Sequence, residues 1–244
     1  MKRALPALPR TNVPKTSLGG PELPERVLHI LAEAAALFAE RGYERTSMRD
    51  LAERCGVSKS LLYHHFADKE EIYTRIALGF MQELHGYVAA QVAARVPEGT
   101  VRDRVGAFMA ASAEFFERYR LVWLASTDAF WSDPNLRRSA ERLRWRRAYE
   151  GLLRGLLAEG VRTGELAAVD VPMAGRFVLS ALNWMPRWYR PGGGPGGGMS
   201  AVEIAASYHR MIFDGLAARE RGVRRRLRRL PRTVFPAGPA SPGR

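Results

Sequence analysis

The chain of 244 residues is 46% hydrophobic and 26% charged, has a net charge of +13, and contains a single cysteine, Cys55. That gives enough apolar material for the core of one large or two modest domains, while one cysteine excludes an internal disulfide and every multi-cysteine zinc site. Residues 1–21 contribute +4 and Arg219–Arg244 contributes +8, so the two ends supply twelve of the thirteen charges and bulk charge locates no nucleic-acid surface between them.

Residues 1–21, with Pro6, Pro9, Pro14 and Pro21 and no apolar period, read as a disordered basic arm. Its prolines break any signal-peptide core, and the longest charge-free apolar stretch, Phe177–Pro186, is far too short to cross a bilayer. A cytoplasmic protein with no membrane span is therefore expected. From Leu23 to about Ala217 the apolar spacing is helical throughout, which predicts an all-α fold of nine helices.

The first helix is predicted over 24–41, with Val27, Leu28, Leu31, Ala34, Ala35 and Phe38 on one stripe and Gly42 ending it. Ser47 caps a second helix that stops at Cys55 before Gly56, and Ser58 caps a third that reaches Phe66. Asp68 and Glu71 open a long fourth helix that Pro97 terminates. Helices over 100–119 and 121–131 follow, and then Asp133-Pro134 starts one that extends to about Thr163. Asp170 and Pro172 open the next, to about Arg190, with a kink or break expected at Pro186. Gly/Pro residues 191–198 form a linker, and Ser200 with Glu203 caps a last helix to about Ala218.

The informative stretch is residues 47–66, SMRDLAERCGVSKSLLYHHF, which reads as a helix-turn-helix. Leu51, Ala52, Val57, Leu62 and Phe66 can face the first helix, and Gly56 makes the turn. That leaves Lys59, Ser60, Tyr63 and His64 on the outward face of the helix that enters the major groove in such motifs. Lys59 and Ser60 suit base-edge or phosphate oxygens, Leu61 a thymine methyl, and Tyr63 and His64 phosphates. Lys69 sits at a helix amino end where an anion is favoured, and Ser47, Met48 and Arg49 open the preceding helix near the same groove.

The run Ile30–Tyr73, ILAEAAALFAERGYERTSMRDLAERCGVSKSLLYHHFADKEEIY, resembles the DNA-binding head of TetR/AcrR-type bacterial regulators. It matches in the Gly42-Tyr43 step, the Leu-Ala, Gly-Val-Ser and Leu-Tyr-x-His-Phe landmarks, and Lys69-Glu70-Glu71, in order. The resemblance implies a nine-helix, two-domain fold: a three-helix DNA-binding head over residues 24–84 and a helical ligand-binding and dimerisation domain over 85–218. It further implies a homodimer whose heads read a palindromic double-stranded operator and which a small hydrophobic effector releases.

All five tryptophans lie between residues 123 and 188. Phe116, Trp123, Phe130, Trp131, Trp145, Tyr149, Trp184 and Trp188, together with Phe108, Phe115 and Phe177, could line an effector cavity; aromatics at this spacing also build an ordinary core. The segment Asn183–Gly192, with Met199-Ser200 and Tyr208, is similar to the subset of the family that answers acyl-CoA thioesters, although Gly193–Gly198 departs from it. Arg176 and the cluster Arg137, Arg138, Arg142, Arg144, Arg146 and Arg147 suit CoA phosphates or a solvated helix face. Lipophilic drugs or aromatic acids are the alternative effectors. Apolar positions on the last two helices, Phe177, Leu179, Leu182, Val202, Ile204, Ala205, Met211, Ile212 and Leu216, suit a dimer interface.

Other chemistries find little support. The 191–198 segment lacks the lysine and hydroxyl of a phosphate loop, the histidines are scattered, and no serine sits in a nucleophile elbow, so no metal, cofactor or enzyme activity is expected. The rival from another class is a helical small-molecule-binding protein or enzyme without DNA binding. The Arg-rich tail, 219–244, either extends the last helix as a basic amphipathic segment or is solvated. Residues 22–92 carry eight basic against eleven acidic groups, so the basic arm is expected to supply electrostatic attraction that the head lacks. Deleting residues 1–21 should weaken operator binding and flatten the slope of log affinity against log salt; an unchanged slope would remove the arm from the interface.

Overall fold

A backbone whose apolar residues recur every three to four positions satisfies its hydrogen bonds within helices, and all regular structure among the described residues is helical. The computed structural model describes residues 23–125, 140–190 and 198–215. The helices are α1 (Glu25–Arg41), α2 (Met48–Cys55), α3 (Lys59–His65), α4 (Lys69–Arg95), α5 (Val101–Arg118), α6 (Ala140–Thr163), α7 (Val171–Trp188) and α8 (Ala201–Asp214). Residues 120–125 are also helical, giving nine helical segments among the described residues.

The expected caps form. Ser47 and Asp50 make a reciprocal capping box on α2, and Thr100 and Asp103, not singled out from the sequence, make another on α5. Ser58 accepts from the Leu61 amide at 3.1 Å, and Asp68 accepts from the Glu71 amide at 2.7 Å. The Glu71 carboxylate in turn takes the Ala67 amide, closing the α4 box one residue further out. Gly56, at φ +64°, turns the chain out of α2 while its own amide and that of Val57 cap the last carbonyls.

Three helices and the start of α4 share one core: Ile30, Leu31, Ala34 and Phe38 meet Leu51, Ala52 and Cys55, then Leu62 and Phe66, then Ile72, Tyr73 and Ile76. Phe38, Tyr43 and Tyr73 form an aromatic trio with centroids 5.2 to 6.4 Å apart. In the body, α5 packs against α4, α6, α7 and α8 and buries Val105, Phe108, Met109, Phe115 and Phe116. Tyr149 stacks on Phe108 and shares a 2.8 Å hydrogen bond with Ser112, and its burial pushes the phenol pKa up. Bidentate pairs Arg102–Asp214 and Arg104–Glu159 fasten α8 and α6 to α5.

Two expectations need correction. The last helix ends at Asp214, not near Ala218, because Gly215 takes a left-handed φ of +76° there. Pro186 does not end α7, which runs on to Trp188. The Pro186 carbonyl, at the helix end, accepts the Arg120 Nε at 3.1 Å, and the Tyr189 amide closes on Met185. The basic arm, the end of the helix expected over 121–131, the Asp133-Pro134 start of the next, linker residues 191–197, Leu216 and the Arg-rich tail lie outside the described residues.

Arg54 on α2 donates to Glu33 at 2.9 Å and, bidentately, to Glu40 at 2.9 Å, locking α2 onto α1. Those bonds hold the Glu40 carboxyl below its usual pKa of 4.5. The stabilisation is therefore complete above that value and disappears as the pH falls through the depressed one. An Arg54→Met variant should be less stable at pH 7 by roughly 0.5–1 kcal/mol, as for a well-formed surface pair. Thermal melts of variant and parent should converge toward pH 3; a gap constant with pH would assign the loss to packing.

Candidate functional site

At about 100° per residue, Lys59, Ser60, Tyr63 and His64 share an arc of about 140° on α3 and Leu62 falls outside it, while Phe66, the C-cap in extended conformation, leaves the helical register and turns inward separately. The structure realises that division: Leu62 and Phe66 are buried and the other four are exposed, Tyr63 to 51%. Leu61 is half-buried at the edge. Ser60 Oγ lies 3.0 Å from the Ser58 hydroxyl, and the His64 ring meets His65 edge-on. A single exposed helix with polar and cationic side chains and few internal commitments has the width to enter a major groove of about 12 Å.

Around it, Ser47 and Arg49 are exposed and Met48 half-buried at the amino end of α2. Ser47 is engaged by its capping box, its hydroxyl donating to Asp50 at 2.5 Å, so its free hydrogen-bonding capacity is limited. Lys69 differs from a simple outward anion ligand: its ammonium donates to the Tyr43 carbonyl at 2.9 Å and lies 4.2 Å from the centre of the Tyr43 ring. It straps α4 to the turn before α2 and has further donors in reserve. Much of the head's acidity is engaged within the fold: Glu33 and Glu40 by Arg54, Asp50 and Asp68 in caps, and Glu71 in a cap and with Arg75 at 2.6 Å.

In the body, an open cavity of about 540 Å³ lies among α4, α5 and α6. Its walls are Gln82, Glu83, His85, Gly86 and Tyr87 of α4, Phe115 and Arg118 of α5, Tyr119, and Trp145 of α6. The Trp145 ring contacts His85 at 5.6 Å and the Arg144 guanidinium at 5.1 Å. Tyr87 donates to Glu114 at 2.8 Å while Arg95 takes the same carboxylate. Burial works against ionised Glu114, but those bonds outweigh it and the carboxyl pKa falls. Burial raises the phenol pKa of both Tyr87 and Tyr119.

Of the effector residues expected from sequence, Trp145 lines this cavity and Phe115 is among the further aromatics that do. Phe116 and Trp123 come together at 5.4 Å, with Trp123 also against Phe80, in the packed interior. Tyr149 is in the core and Trp188 half-buried against it. Arg176 and Trp184 are exposed on α7, with Arg187 over the Trp184 ring, outside the cavity wall. Phe130, Trp131, Arg137 and Arg138, and the side chain of Arg142, lie outside the described residues. Arg146 pairs with Glu150, and Arg147 is exposed. The α4 wall escaped the sequence reading because an aromatic count over 123–188 ignores Gln82–Tyr87; a polar break, Gln82-Glu83 and His85-Gly86, in an otherwise apolar helix was the available signal. The expected dimer positions also divide: Leu179, Leu182, Ile204 and Ala205 are buried, Val202 and Ile212 half-buried, and Phe177 and Met211 exposed, and Met173 and Trp184, not expected there, are exposed on α7 as well.

Among the described residues no cluster of histidine, cysteine or carboxylate could hold a metal, and no helix is long and apolar enough to cross a membrane.

Residues 30–76 match the family model of bacterial regulatory proteins, tetR family, and residues 98–216 match that of the tetracyclin repressor-like C-terminal domain. The chain is 32% identical over 202 residues to the HTH-type transcriptional repressor KstR2 of Rhodococcus jostii strain RHA1, covering 79% of this chain and 92% of that one. Among solved structures it is similar to the TetR family transcriptional regulator PfmR from Thermus thermophilus. That match has 40% identity and a TM-score of 0.69, over 78% of this chain and 99% of the other. It is also similar to the ketosteroid transcriptional regulator KstR2 of Mycobacterium tuberculosis, at 27% identity and a TM-score of 0.65, over 80% and 96%. Matched in both halves and aligned over nearly the full length of a transcriptional repressor, this chain belongs to the TetR family of bacterial regulatory proteins.

Proposed function

We propose that the protein is a homodimeric repressor that reads a palindromic operator with α3 and leaves it when a small hydrophobic effector occupies the body. The observation that carries the DNA reading is the division of α3: Leu62 and Phe66 anchor it while Lys59, Ser60, Tyr63 and His64 face solvent. Leu61, Lys69 and the opening of α2, Ser47 to Arg49, flank that face. In this reading the head spans residues 24–84 and the effector and dimerisation domain 85–218, with α4 belonging to both. The whole acts in the cytoplasm, without catalysis.

Fragments of genomic DNA selected by the parent protein provide the test. Alanine at Lys59, Ser60 and Tyr63 together should weaken binding to those fragments at least about 100-fold, since each base contact is worth roughly 1–3 kcal/mol. Melting should hardly change, because all three side chains are exposed. Retention at parental affinity would overturn the assignment and favour a small-molecule-binding protein without DNA binding.

Dimerisation is supported by the outer face of α7. Met173, Phe177 and Trp184 fall at i, i+4 and i+11 and are 60 to 63% exposed, with Met211 of α8 at 50%. A row of large apolar side chains facing water marks an interaction surface, and a two-fold contact would bury it against its own copy. Phe177→Glu with Trp184→Glu should convert a dimer in size-exclusion chromatography to a monomer and abolish cooperative operator binding; a parent that elutes as a monomer at micromolar concentration would contradict the reading.

For the effector, aromatic walls and an open mouth suit an extended apolar body, and an acyl-CoA thioester is the leading candidate. The description of one relative as a ketosteroid regulator supports a bulky apolar ligand of this kind. An aromatic acid is the second reading, favoured by Arg118, which has no ion pair among the described residues.

A further inference from the structure

The link between α3 and α4 is Phe66, Ala67 and Asp68, and side chains of α4 hold it from outside. Phe66, the C-cap of α3, closes its amide on the Leu62 carbonyl at 3.0 Å and is buried. The Ala67 amide donates to one oxygen of Glu71 at 2.7 Å, and the other oxygen of that carboxylate accepts from Arg75 Nη2 at 2.6 Å. The Arg75 guanidinium in turn lies 5.2 Å from the centre of the Phe66 ring. A carboxylate and a cation one turn apart on α4 therefore touch both residues that follow α3. As a plain surface ion pair, Glu71–Arg75 would stabilise the fold little. Its contacts reach further: ring centres are 6.4 Å apart from Phe66 to His65 and 5.2 Å from His65 to His64, so Arg75 stands at one end of a row whose other end is on the outward face of α3.

We propose that Arg75 is a positioning residue for DNA recognition: held by Glu71 and laid over Phe66, it fixes the carboxy-terminal end of α3 and with it the placing of Tyr63 and His64 on the operator. The inference rests on α3 being the reading helix. A helix of about two turns has no stability of its own, so its tilt is set at its ends. Ser58 fixes the amino end through the Leu61 amide. A guanidinium suits the other end because it is flat, bonding to a carboxylate in its plane while presenting a face to a ring. A direct phosphate contact is a different role with a different signature. Neutralised phosphates appear in the slope of log affinity against log salt, whereas a tilt changes the fit to one sequence and leaves the sequence-independent attraction alone.

A duplex selected from genomic DNA by the parent, set against a scrambled duplex of the same length and composition, tests this with the double variant Glu71→Gln/Arg75→Met. The pair stays neutral overall, and the glutamine oxygen can still accept from Ala67. Binding to the selected duplex should weaken about tenfold, binding to the scrambled one should stay within twofold, and the salt slopes should match the parent's. Parental affinity for the selected duplex overturns the proposal, whatever the melting temperature does. Equal losses on the two duplexes overturn it as well, and a slope reduced by about 0.9 would then make Arg75 a phosphate ligand. If the double variant lacks the parent's helical circular dichroism, Arg75→Lys decides, since it keeps the charge but replaces the flat group with a compact ammonium. A loss of about threefold confined to the selected duplex supports the proposal, and no loss ends it. Failure of the DNA reading itself shows separately: the parent then selects no duplex, or alanine at Lys59, Ser60 and Tyr63 leaves selection intact, and the role of Arg75 falls with it.

Discussion

The burial of Leu62 and Phe66 is the constraint on which the DNA-reading end depends. A helix of seven residues has no stability of its own in water, since nucleation is unfavourable and too few hydrogen bonds follow. α3 exists because those two side chains enter the core built by Ile30, Leu31, Phe38, Leu51 and Tyr73, and because Ser58 holds its first turn. Its outward face is consequently aimed by residues buried beneath it. The lock of Arg54 on Glu33 and Glu40 and the strap from Lys69 to Tyr43 restrict the same unit from two other sides.

α4 joins that unit to the body. Its first two turns place Ile72, Tyr73 and Ile76 in the head core, while Gln82 to Tyr87 line the cavity within the same 27-residue helix. A continuous helix is stiff over such a length, so the position of the cavity wall and that of the head are not independent. The other walls are anchored differently: α5 holds α6 through Arg104–Glu159 and α8 through Arg102–Asp214, and Tyr189 at the end of α7 donates to Glu117. Phe115, Arg118 and Tyr119 face the cavity while Glu117 and Arg120, interleaved with them, hold the end of α7. One short stretch of chain, Phe115 to Arg120, therefore serves both the cavity and the helix carrying the exposed apolar row.

Where the sequence reading succeeded, the information was local. Ser47, Ser58, Asp68 and Asp170 each satisfy an amide three residues away, so their roles need nothing from the rest of the chain. The inside and outside of α3 follow from a period of 3.6 applied to seven residues. Where it fell short, the missing information was long-range. Trp145 and Trp184 are both tryptophans on helices with apolar faces, yet one borders the cavity and the other faces solvent at 63% exposure, because only the packing of α4 and α5 against α6 decides which face is inward. Lys69 looked available for an anion until the Tyr43 carbonyl came within 2.9 Å of it.

Period, caps and glycine stops thus determined by themselves that the chain is helical, where most helices begin, and which edge of the short third helix faces out, since each depends on neighbours within one or two turns. Tertiary packing alone decided which aromatic residues enclose the cavity and which side of α7 is left bare, because those outcomes depend on pairings between helices tens of residues apart.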